Sequence, residues 1–433
     1  MLPQMALTCL AFVAVLLFCF SFSVNPQPYN YPTASAPASW TNSPSLPGNS
    51  TSNRSLLLRL NASRNMSFAT GFYCFPPCKS FYLSIYIIYA YVYDHFEYFR
   101  SPQVIWSANR ARPVGENATL QLTSKDGLTL RDSDGSLVWS TSGLNRPVAG
   151  INITEAGNLV LFDINNSTIL QSFDHPTDSL VMGQTLEGGM RIVASSSSTD
   201  LAESQFYLTL LADGLYGFVN SDPPLSYYYG MFGNYYNSNR TVDTSIFIKF
   251  INSSLTIFST LSNNEMGTNV FEFPPPETIQ YMRLESDGHL RLYDYDQGWK
   301  IVADLFHMDT CNYPTVCGPY GICNNGQCTC PAGTLGNYFK PVDNRRAELG
   351  CYSITNITCQ DVNNHHMFDL NNVSYFNNID NVVFNATDEE TCKKTCLGNC
   401  KCKAALFQST IENSSVGRCL TLPEVLSLQN GPI

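Results

Sequence analysis

The chain has 433 residues, of which only 14% are charged, and its formal net charge is −11. A nucleic-acid partner would require a basic face to neutralise its phosphates, so this acidic balance argues against one. After the N-terminal segment, no second apolar run is long enough to cross a bilayer. The sequence therefore predicts no membrane span in this chain.

The N-terminal residues have the pattern of a secretion signal. An apolar run extends from Met5 to Phe20 and is followed by the small residues Ser21 and Ser23. The run is short for a bilayer span and begins near the N-terminus, which favours a signal peptide over residues 1–23; an uncleaved anchor is the alternative. We expect a secreted, extracellular protein, placed at the plasma membrane only if a longer gene product continues into a transmembrane helix.

Strand-like sequence begins after a region of different composition. Residues 24–55 are rich in Pro, Ser, Asn, Ala and Tyr without strand or helix periodicity, which predicts a flexible leader. From residue 56 to about 305, short apolar runs alternate with turn residues roughly every ten positions, a spacing typical of an all-β sandwich, barrel or prism. Within it, an extended backbone cannot turn Tyr227, Tyr228 and Tyr229 all inward, so at least one should be exposed.

One short pattern occurs three times in this β region. Residues 126–132, 157–163 and 287–294 each begin at a turn, continue as an alternating strand and end in Asp. Their similar length and turn position favour real repetition over three unrelated hairpins. We therefore expect equivalent hairpins in a repeated β fold.

Cysteine usage agrees with an oxidising compartment. Of the 16 cysteines, Cys9 and Cys19 fall in the predicted signal, which leaves an even number, 14, for pairing. Twelve of these lie between Cys311 and Cys419, where crosslinks would replace the core that small modules cannot bury. The four-residue spacing of Cys392 and Cys396 predicts a helical turn that presents both to a strand.

Several motifs, in this order, resemble the extracellular region of plant S-domain receptor kinases. Gln103-Val-Ile-Trp-Ser-Ala-Asn-Arg110, followed by Pro113-Val, and Gln171-Ser-Phe-Asp-His-Pro-Thr-Asp178 resemble their bulb-type lectin domain. Cys317-Gly-Pro-Tyr-Gly-Ile-Cys323 with Cys328-Thr-Cys-Pro resembles their EGF-like module. The cysteines from Cys351 to Cys419 resemble their PAN (apple-like) module.

The resemblance covers about residues 56–420 and implies a mainly β protein. Two tandem β-prism (bulb-type lectin-like) domains would be followed by a small disulfide-rich EGF-like module and an α+β PAN domain. After the signal peptide (1–23) and the leader (24–55), the expected boundaries are 56–187 for the first lectin domain, 188–306 for the second lectin-like domain, 307–352 for the EGF-like module and 353–433 for the PAN domain.

The sugar-binding pattern of the related mannose lectins, Gln-X-Asp-X-Asn-X-Val-X-Tyr, is only partly kept. The first repeat has lost both the acidic acceptor and the Asn; it offers Thr123, Lys125, Gly127, Thr129 and Arg131. The second keeps Asn and Val; it offers Thr154, Ala156, Asn158, Val160 and Phe162. The third has the best polar set: Glu285, Asp287, His289, Arg291 and Tyr293. Losing two paired hydrogen bonds, at about 1–3 kcal/mol each, would abolish weak monosaccharide binding.

We therefore favour strands retained for packing, with sugar binding as the alternative. The carbohydrate-binding candidates are Glu285, Asp287, His289, Tyr293, Asn158 and Val160.

Two covalent modifications are expected outside the cytosol. The spacing of Cys74 and Cys78 suggests a local structural bridge rather than a redox site. For the other cysteines the resemblance implies the pairs Cys311–Cys323, Cys317–Cys328, Cys330–Cys351, Cys392–Cys419, Cys396–Cys402 and Cys359–Cys400. Among the Asn-X-Ser/Thr sequons, we predict glycosylation at Asn61, Asn117, Asn152, Asn239, Asn252, Asn356, Asn372, Asn385 and Asn413.

No catalytic, metal or cofactor site is expected. Adjacent His365 and His366 would point to opposite faces of a strand and lack the spacing of a zinc motif. Asp132-Ser-Asp-Gly135 begins like a calcium loop, but its twelfth position is Gly143 instead of Glu, which favours a turn. Neither a phosphate-binding loop nor a kinase catalytic loop is present.

The favoured hypothesis is a non-catalytic extracellular recognition module of a plant S-domain receptor-like protein, at the cell surface or in the apoplast. Its expected partners are a peptide, lipid or glycan ligand and another receptor ectodomain, with homodimer formation as a further option. The alternatives are an active mannose or cell-wall carbohydrate lectin, and part of a transmembrane serine/threonine receptor kinase.

Overall fold

The computed structural model describes residues 30–43, 53–60, 66–93, 96–231, 246–251, 253–259, 267–332, 338–355, 365–376, 385–410 and 413–431. The fold is mainly β, as the sequence predicts. The predicted signal peptide lies outside the described residues. In the described part of the chain, no helix is long and apolar enough to cross a membrane.

The first prism consists of three four-stranded antiparallel sheets around one core. One sheet runs in the order β1 (Thr33–Ser35), β10 (Gly150–Ile153), β11 (Leu159–Phe162) and β12 (Thr168–Gln171). The next contains β2 (Ala38–Thr41), β7 (Thr119–Thr123), β8 (Gly127–Arg131) and β9 (Leu137–Ser140). The third contains β3 (Asn53–Arg59), β4 (Met66–Tyr73), β5 (Tyr82–Tyr93) and β6 (Phe96–Ser107).

The second prism repeats this plan with three more four-stranded sheets around a second core. One sheet contains β13 (Ser179–Val181), β22 (Gln280–Leu284), β23 (Leu290–Tyr295) and β24 (Trp299–Asp304). The next contains β14 (Thr185–Glu187), β19 (Ile246–Ile251), β20 (Ser254–Ser259) and β21 (Thr268–Glu272). The third contains β15 (Arg191–Ser197), β16 (Asp200–Leu211), β17 (Gly214–Val219) and β18 (Leu225–Met231).

Both prisms have the same nested connectivity. Two short strands come first, a complete sheet follows, and the remaining six strands then join the short ones in reverse order. The alternation that marks the strands follows burial: in β11 and β19 every second side chain faces the core. The predicted tandem β-prism fold is confirmed.

The structure differs from the expected boundaries at two places. Residues 33–41 of the predicted leader form β1 and β2, each an outer strand of a sheet in the first prism. Strands β13 and β14, which we assigned to the first domain, instead join sheets of the second. The physical reason is the same in both cases: strands of three or four residues are too short to show a period, and their partners lie far along the chain.

The described part of the cysteine-rich region after Asp304 forms three small sheets. One runs in the order β26 (Gln327–Thr329), β25 (Ile322–Asn324), β33 (Leu428–Asn430) and β29 (Val373–Tyr375). A hairpin pairs β27 (Phe339–Pro341) with β28 (Cys351–Ser353), and a three-stranded sheet runs β30 (Asn385–Thr387), β32 (Asn413–Leu422) and β31 (Ala404–Thr410). Because β33 pairs with both β25 and β29, the end of the chain joins the two modules that the resemblance separates.

The single α-helix of the described residues, α1 (Glu389–Leu397), is linked to this region by two disulfide bonds. Asp388 caps its start by accepting a hydrogen bond from the Thr391 backbone N–H at 2.8 Å. Cys392 and Cys396 are both buried on one face of the helix, as their spacing predicts.

Six disulfides are present among the described residues, and each is a pair expected from the sequence or from the resemblance: Cys74–Cys78, Cys311–Cys323, Cys317–Cys328, Cys330–Cys351, Cys392–Cys419 and Cys396–Cys402. Cys400 is also disulfide-bonded. Its expected partner, Cys359, lies outside the described residues, so the pair Cys359–Cys400 stays a prediction.

Candidate carbohydrate site and its surroundings

The three sequence repeats occupy the same place in three different sheets, the turn between the second and third strands. These are the hairpins β7–β8, β10–β11 and β22–β23. The second and third share a hydrogen-bond pattern: Thr154 and Asn158 bond through the backbone at 2.9 Å, and Glu285 and His289 at 2.8 Å. Both turns need a glycine in the left-handed region, at φ 81° and 88°. The predicted repetition is therefore confirmed in the topology.

In the third repeat, the first and last candidate positions are bonded to each other. The Tyr293 hydroxyl donates to Glu285 Oε1 at 2.5 Å, and its ring stacks on Tyr281 with centroids 4.9 Å apart. Burial, followed by the bond to Glu285, raises the pKa of Tyr293. The hydroxyl therefore keeps its proton, and that proton is committed to Glu285.

The central carboxylate of this repeat is also paired. Asp287 Oδ2 accepts from the Arg291 guanidinium at 2.8 Å, and its Oδ1 accepts from the backbone N–H of His289 at 3.2 Å. In the mannose pattern this carboxylate would bond sugar hydroxyls. Here both of its oxygens already have protein donors, although the side chain remains 48% exposed.

The third position, His289, is covered by the cysteine-rich region. Its ring Nδ1 bonds to Asp304, and Tyr313 stacks on the ring with centroids 3.5 Å apart. Burial alone would raise the pKa of Asp304, but the hydrogen bond and charge of His289 outweigh it, so the pKa is lowered. Tyr313 is itself only 2% exposed, so a sugar at this position would have to displace it.

The structure thus brings the four third-repeat candidates together, but with their polar groups already bonded: Tyr293 to Glu285, Asp287 to Arg291 and His289 to Asp304. Tyr313 covers the His289 ring by stacking on it. A ligand would first have to break these bonds, at about 1–3 kcal/mol for each polar group left unpaired. Sequence reasoning missed Asp304 and Tyr313. Asp304 reaches the site only through cross-strand register with Arg291, and no local pattern distinguishes Tyr313.

In the second repeat, the Asn158 side chain is hydrogen-bonded to the protein itself. It is 8% exposed, its Nδ2 donates to Gln171 Oε1 at 2.8 Å, and its Oδ1 accepts from Ser172 Oγ at 3.1 Å and from the Phe173 N–H at 3.2 Å. Val160 pairs with Gln171 across the strands. Asn158 therefore fixes the turn that follows β12, and Val160 is a member of the strand that pairs with β12.

The lectin-like motif residues form a buried network between the prisms. Arg110, from the end of the first motif, donates to the carbonyls of Ala194 and Leu201 of the second prism, at 3.0 and 2.7 Å. Arg283 of β22 reaches back to the carbonyl of Val104.

Between these two arginines lies Asp178, the last residue of the second motif. It accepts from the hydroxyls of Ser195 and Ser179 at 2.6 and 2.7 Å, and Arg283 Nε is 3.7 Å away. Trp106 adds a bond from its indole N–H to the carbonyl of His175 at 2.8 Å. The described parts of both motifs therefore act as the joint between two domains.

The three consecutive tyrosines differ in exposure, as their extended backbone predicts. Tyr227 is 5% exposed and donates to the Gly288 carbonyl at 2.7 Å, and Tyr228 stacks on Phe306. Tyr229 is exposed and stacks on Tyr216 with centroids 4.6 Å apart. The expectation that at least one would be exposed is confirmed.

The segment that begins like a calcium loop forms a tight turn, as expected. Asp132 bonds there to Gly135 and Ser136 through the backbone. His365 is half-buried and His366 is exposed. Within the described ranges, no three His, Cys, Asp or Glu side chains are grouped as metal ligands would be.

Comparison with known proteins identifies the family of this chain. Residues 103–201 match the family described as D-mannose binding lectin, and residues 238–338 match the S-locus glycoprotein domain. EP1-like glycoprotein 4 of Arabidopsis thaliana is 31% identical over 337 residues, which cover 73% of this chain and 72% of that protein. The chain belongs to the S-domain family of EP1-like glycoproteins. The first match falls within the two prisms, and the second runs from the second prism into the cysteine-rich region.

Two further relatives show the range of the S-domain family. A G-type lectin S-receptor-like serine/threonine-protein kinase of Arabidopsis thaliana is 28% identical over 72% of this chain, and the chain spans only 35% of its length. The epidermis-specific secreted glycoprotein EP1 of Daucus carota is 29% identical over 53% of the chain and 68% of that protein. The S-domain therefore occurs both within longer kinases and in glycoproteins named as secreted.

Proposed function

We propose that this S-domain protein is a non-catalytic extracellular recognition module that binds its ligand through surfaces other than the three mannose-type hairpins. One observation carries this proposal: the polar set of the third repeat is already paired, with Glu285 on Tyr293, Asp287 on Arg291 and His289 on Asp304. The ligand classes we propose are a peptide, a lipid or a glycan bound elsewhere, together with a second receptor ectodomain.

The relatives support the extracellular and non-enzymatic parts of the proposal. One relative is named a secreted glycoprotein, and the relatives named kinases are much longer than the region matched here. The alternative, part of a transmembrane serine/threonine receptor kinase, rests on those kinase relatives. The other alternative, an active lectin, rests on the partly exposed carboxylate of Asp287.

A glycan array tests the proposal against the lectin alternative. The secreted, glycosylated chain is expected to show no binding to mannosides or cell-wall oligosaccharides, because each third-repeat group already has a protein partner. Asp287→Ala is assayed in parallel, with Asp296→Ala as its matched control. Asp296 is a similarly exposed carboxylate that pairs with Lys300 on the neighbouring hairpin. Mannoside binding that disappears in Asp287→Ala and survives in Asp296→Ala would restore the lectin alternative.

Glycan occupancy provides a second prediction. Asn117 and Asn372 are exposed at positive φ, so a glycan at either site extends into solvent. Asn152 is half-buried in a central strand, and its Oδ1 accepts from Arg59 at 2.9 Å. Secreted, folded molecules are expected to carry glycans at Asn117 and Asn372 and few at Asn152, which revises the prediction made for Asn152 from its sequon alone. Peptide mass spectrometry after enzymatic deglycosylation in ¹⁸O-labelled water measures the occupancy of each site. Full occupancy of Asn152 would contradict the prediction.

The remaining predicted glycosylation sites stay predictions. Four lie outside the described residues: Asn61, Asn239, Asn252 and Asn356. For the last two only the backbone is described: Asn385 in β30 and Asn413 in β32.

A further inference from the structure

The hairpin β27–β28 carries an apolar surface that the fold leaves open. Of the nine exposed large apolar side chains in the described part of the chain, four lie on or beside this hairpin. They are Tyr338 at 43%, Val342 at 54%, Tyr352 at 48% and Ile354 at 48% exposure. Scattered single exposures need no explanation, whereas apolar side chains that share one surface are often functional.

Strand register places these side chains on one face. Lys340 lies opposite Tyr352, Ile354 donates its N–H to the Tyr338 carbonyl at 3.0 Å, and Val342 follows two residues after Lys340. Since paired residues and every second residue share a face, the five form one surface, which we name the hairpin face.

The opposite side of the hairpin is fixed to the protein. Phe339 contacts the Tyr320 ring with centroids 5.0 Å apart, and Cys351 is bonded to Cys330. On the hairpin face itself, the Tyr338 ring contacts Phe368 at 5.8 Å. The backbone of the face is therefore held in position, so a partner does not have to order the hairpin itself.

Charge on the hairpin face selects the partner's chemistry. Lys340 lies at its centre and is exposed, without a salt bridge to any described residue, whereas nearby Arg346 pairs with Glu348 at 3.0 Å. The chain as a whole carries a net charge of −11. A lone ammonium between two tyrosines on an otherwise acidic protein is complementary to a carboxylate with apolar neighbours.

The geometry also limits how a partner can bind. Pro341 has no N–H, and its backbone points away from β28, so this edge is poorly suited to pairing with an added strand. Contact must come through the side chains. Four half-exposed apolar side chains fall short of the ~800 Å² per partner of a standard interface, which argues against a second copy of this chain held by the face alone.

We propose that the hairpin face is a docking surface for an extended segment of a partner protein that carries an acidic residue between apolar ones. The two-residue spacing of Tyr338, Lys340 and Val342 matches the side-chain period of an extended peptide. The surface is separate from the three mannose-type hairpins. The proposal rests on the function proposed for this protein, ligand binding away from those hairpins, and names one surface and one class of ligand for it. Failure of peptide binding would remove the hairpin face as that surface without restoring sugar binding, which the glycan array tests separately.

Two synthetic probes test the proposal by fluorescence anisotropy with the full secreted chain. One labelled peptide alternates leucine and tyrosine with aspartate, and the other has lysine in place of each aspartate. The aspartate peptide is expected to bind at least tenfold more tightly. Lys340→Glu should reverse that preference, and Tyr352→Ser should weaken binding of the aspartate peptide at least tenfold.

Matched controls separate binding from folding. Lys401→Glu reverses an exposed charge elsewhere, and Ile301→Ser removes an apolar side chain of similar exposure, 54%, from the second prism. Both should leave the affinity unchanged, and all four variants should retain wild-type thermal unfolding.

Three results would overturn the proposal. The first is equal binding of both peptides, or an unchanged preference in Lys340→Glu. The second is self-association that Tyr352→Ser abolishes, which would place a second copy on the face. The third is binding to phosphatidylserine vesicles without binding to the aspartate peptide, which would place a lipid surface there.

Discussion

Replacing Asp178 with asparagine is expected to lower the free energy of unfolding by about 3 kcal/mol. Asp178 is 3% exposed and lies between Arg110 of the first prism and Arg283 of the second. The substitution keeps the shape of the side chain but removes its charge, which leaves two buried guanidinium groups without their carboxylate. Urea denaturation followed by tryptophan fluorescence measures the loss, since Trp106 lies near the joint.

The pH dependence of this loss identifies its cause. Burial alone would raise the pKa of Asp178, but the charges of Arg283 and Arg110 outweigh it, so the pKa in the folded protein lies below its usual value. A carboxyl with a lowered folded pKa stabilises the protein above its unfolded pKa of about 3.9, and that contribution is lost as the pH falls through the folded pKa. The difference between wild type and Asp178→Asn should be full at neutral pH and shrink in acid.

Asp174→Asn is the matched control. Asp174 belongs to the same motif but is exposed, and it accepts a hydrogen bond from the Gln171 side chain at 2.8 Å. It should change the free energy of unfolding by less than about 0.5 kcal/mol. Equal effects of the two substitutions, or an Asp178→Asn deficit that persists unchanged in acid, would contradict the charge network.

Gly71→Ala is expected to be comparably destabilising, for a steric reason. Gly71 lies in the second half of β4, opposite Ser55, where β3 bulges between Ser55 and Leu57. A Cβ at Gly71 would lie 2.0 Å from the carbonyl oxygen of Arg54, which is backbone and cannot rotate away. Separating the strands should cost about 3 kcal/mol, at the upper end of overpacking effects. The same denaturation experiment, or the yield of secreted protein, measures it.

Gly115→Ala serves as the control in the same prism. A Cβ there would meet only the Asp132 side chain, at an ordinary 3.6 Å. We expect a change within about 0.5 kcal/mol. A mild Gly71→Ala variant would show that the bulge can shift and that contact with the bulged strand does not require glycine.

Features repeated along the chain were predictable, and features made by distant pairing were not. The recurring turns predicted the β class, and the repeated Gly and Asp positions predicted equivalent hairpins. The four-residue spacing of Cys392 and Cys396 predicted the stapled helix. By contrast β1 and β2 contain too few residues for a period, and they become strands only because β10 and β7 lie beside them.

The candidate site shows the same limit. Residue types identified Asp287 and Tyr293 as possible ligand-binding groups. The sequence pattern does not reveal which of these groups already have hydrogen-bond partners within the protein. Arg291 and Glu285, which pair with them, are themselves members of the pattern. Tyr313, which covers His289, comes from the region beyond the prism. The two motifs that resemble the bulb-type lectin domain, in turn, form the joint between the prisms, a role that no sugar-binding pattern suggests.

The nested order of strands also determines when each prism can close during synthesis. Thr33 pairs with Asn152, and Ser179 pairs with Arg283, so the first strand of each prism waits for nearly the whole domain to emerge. Such distant pairings are slow to form, and the waiting strands expose their edges until then. Each prism can therefore complete its sheets only after its last strands have been synthesised, and its unpaired strands need protection until then.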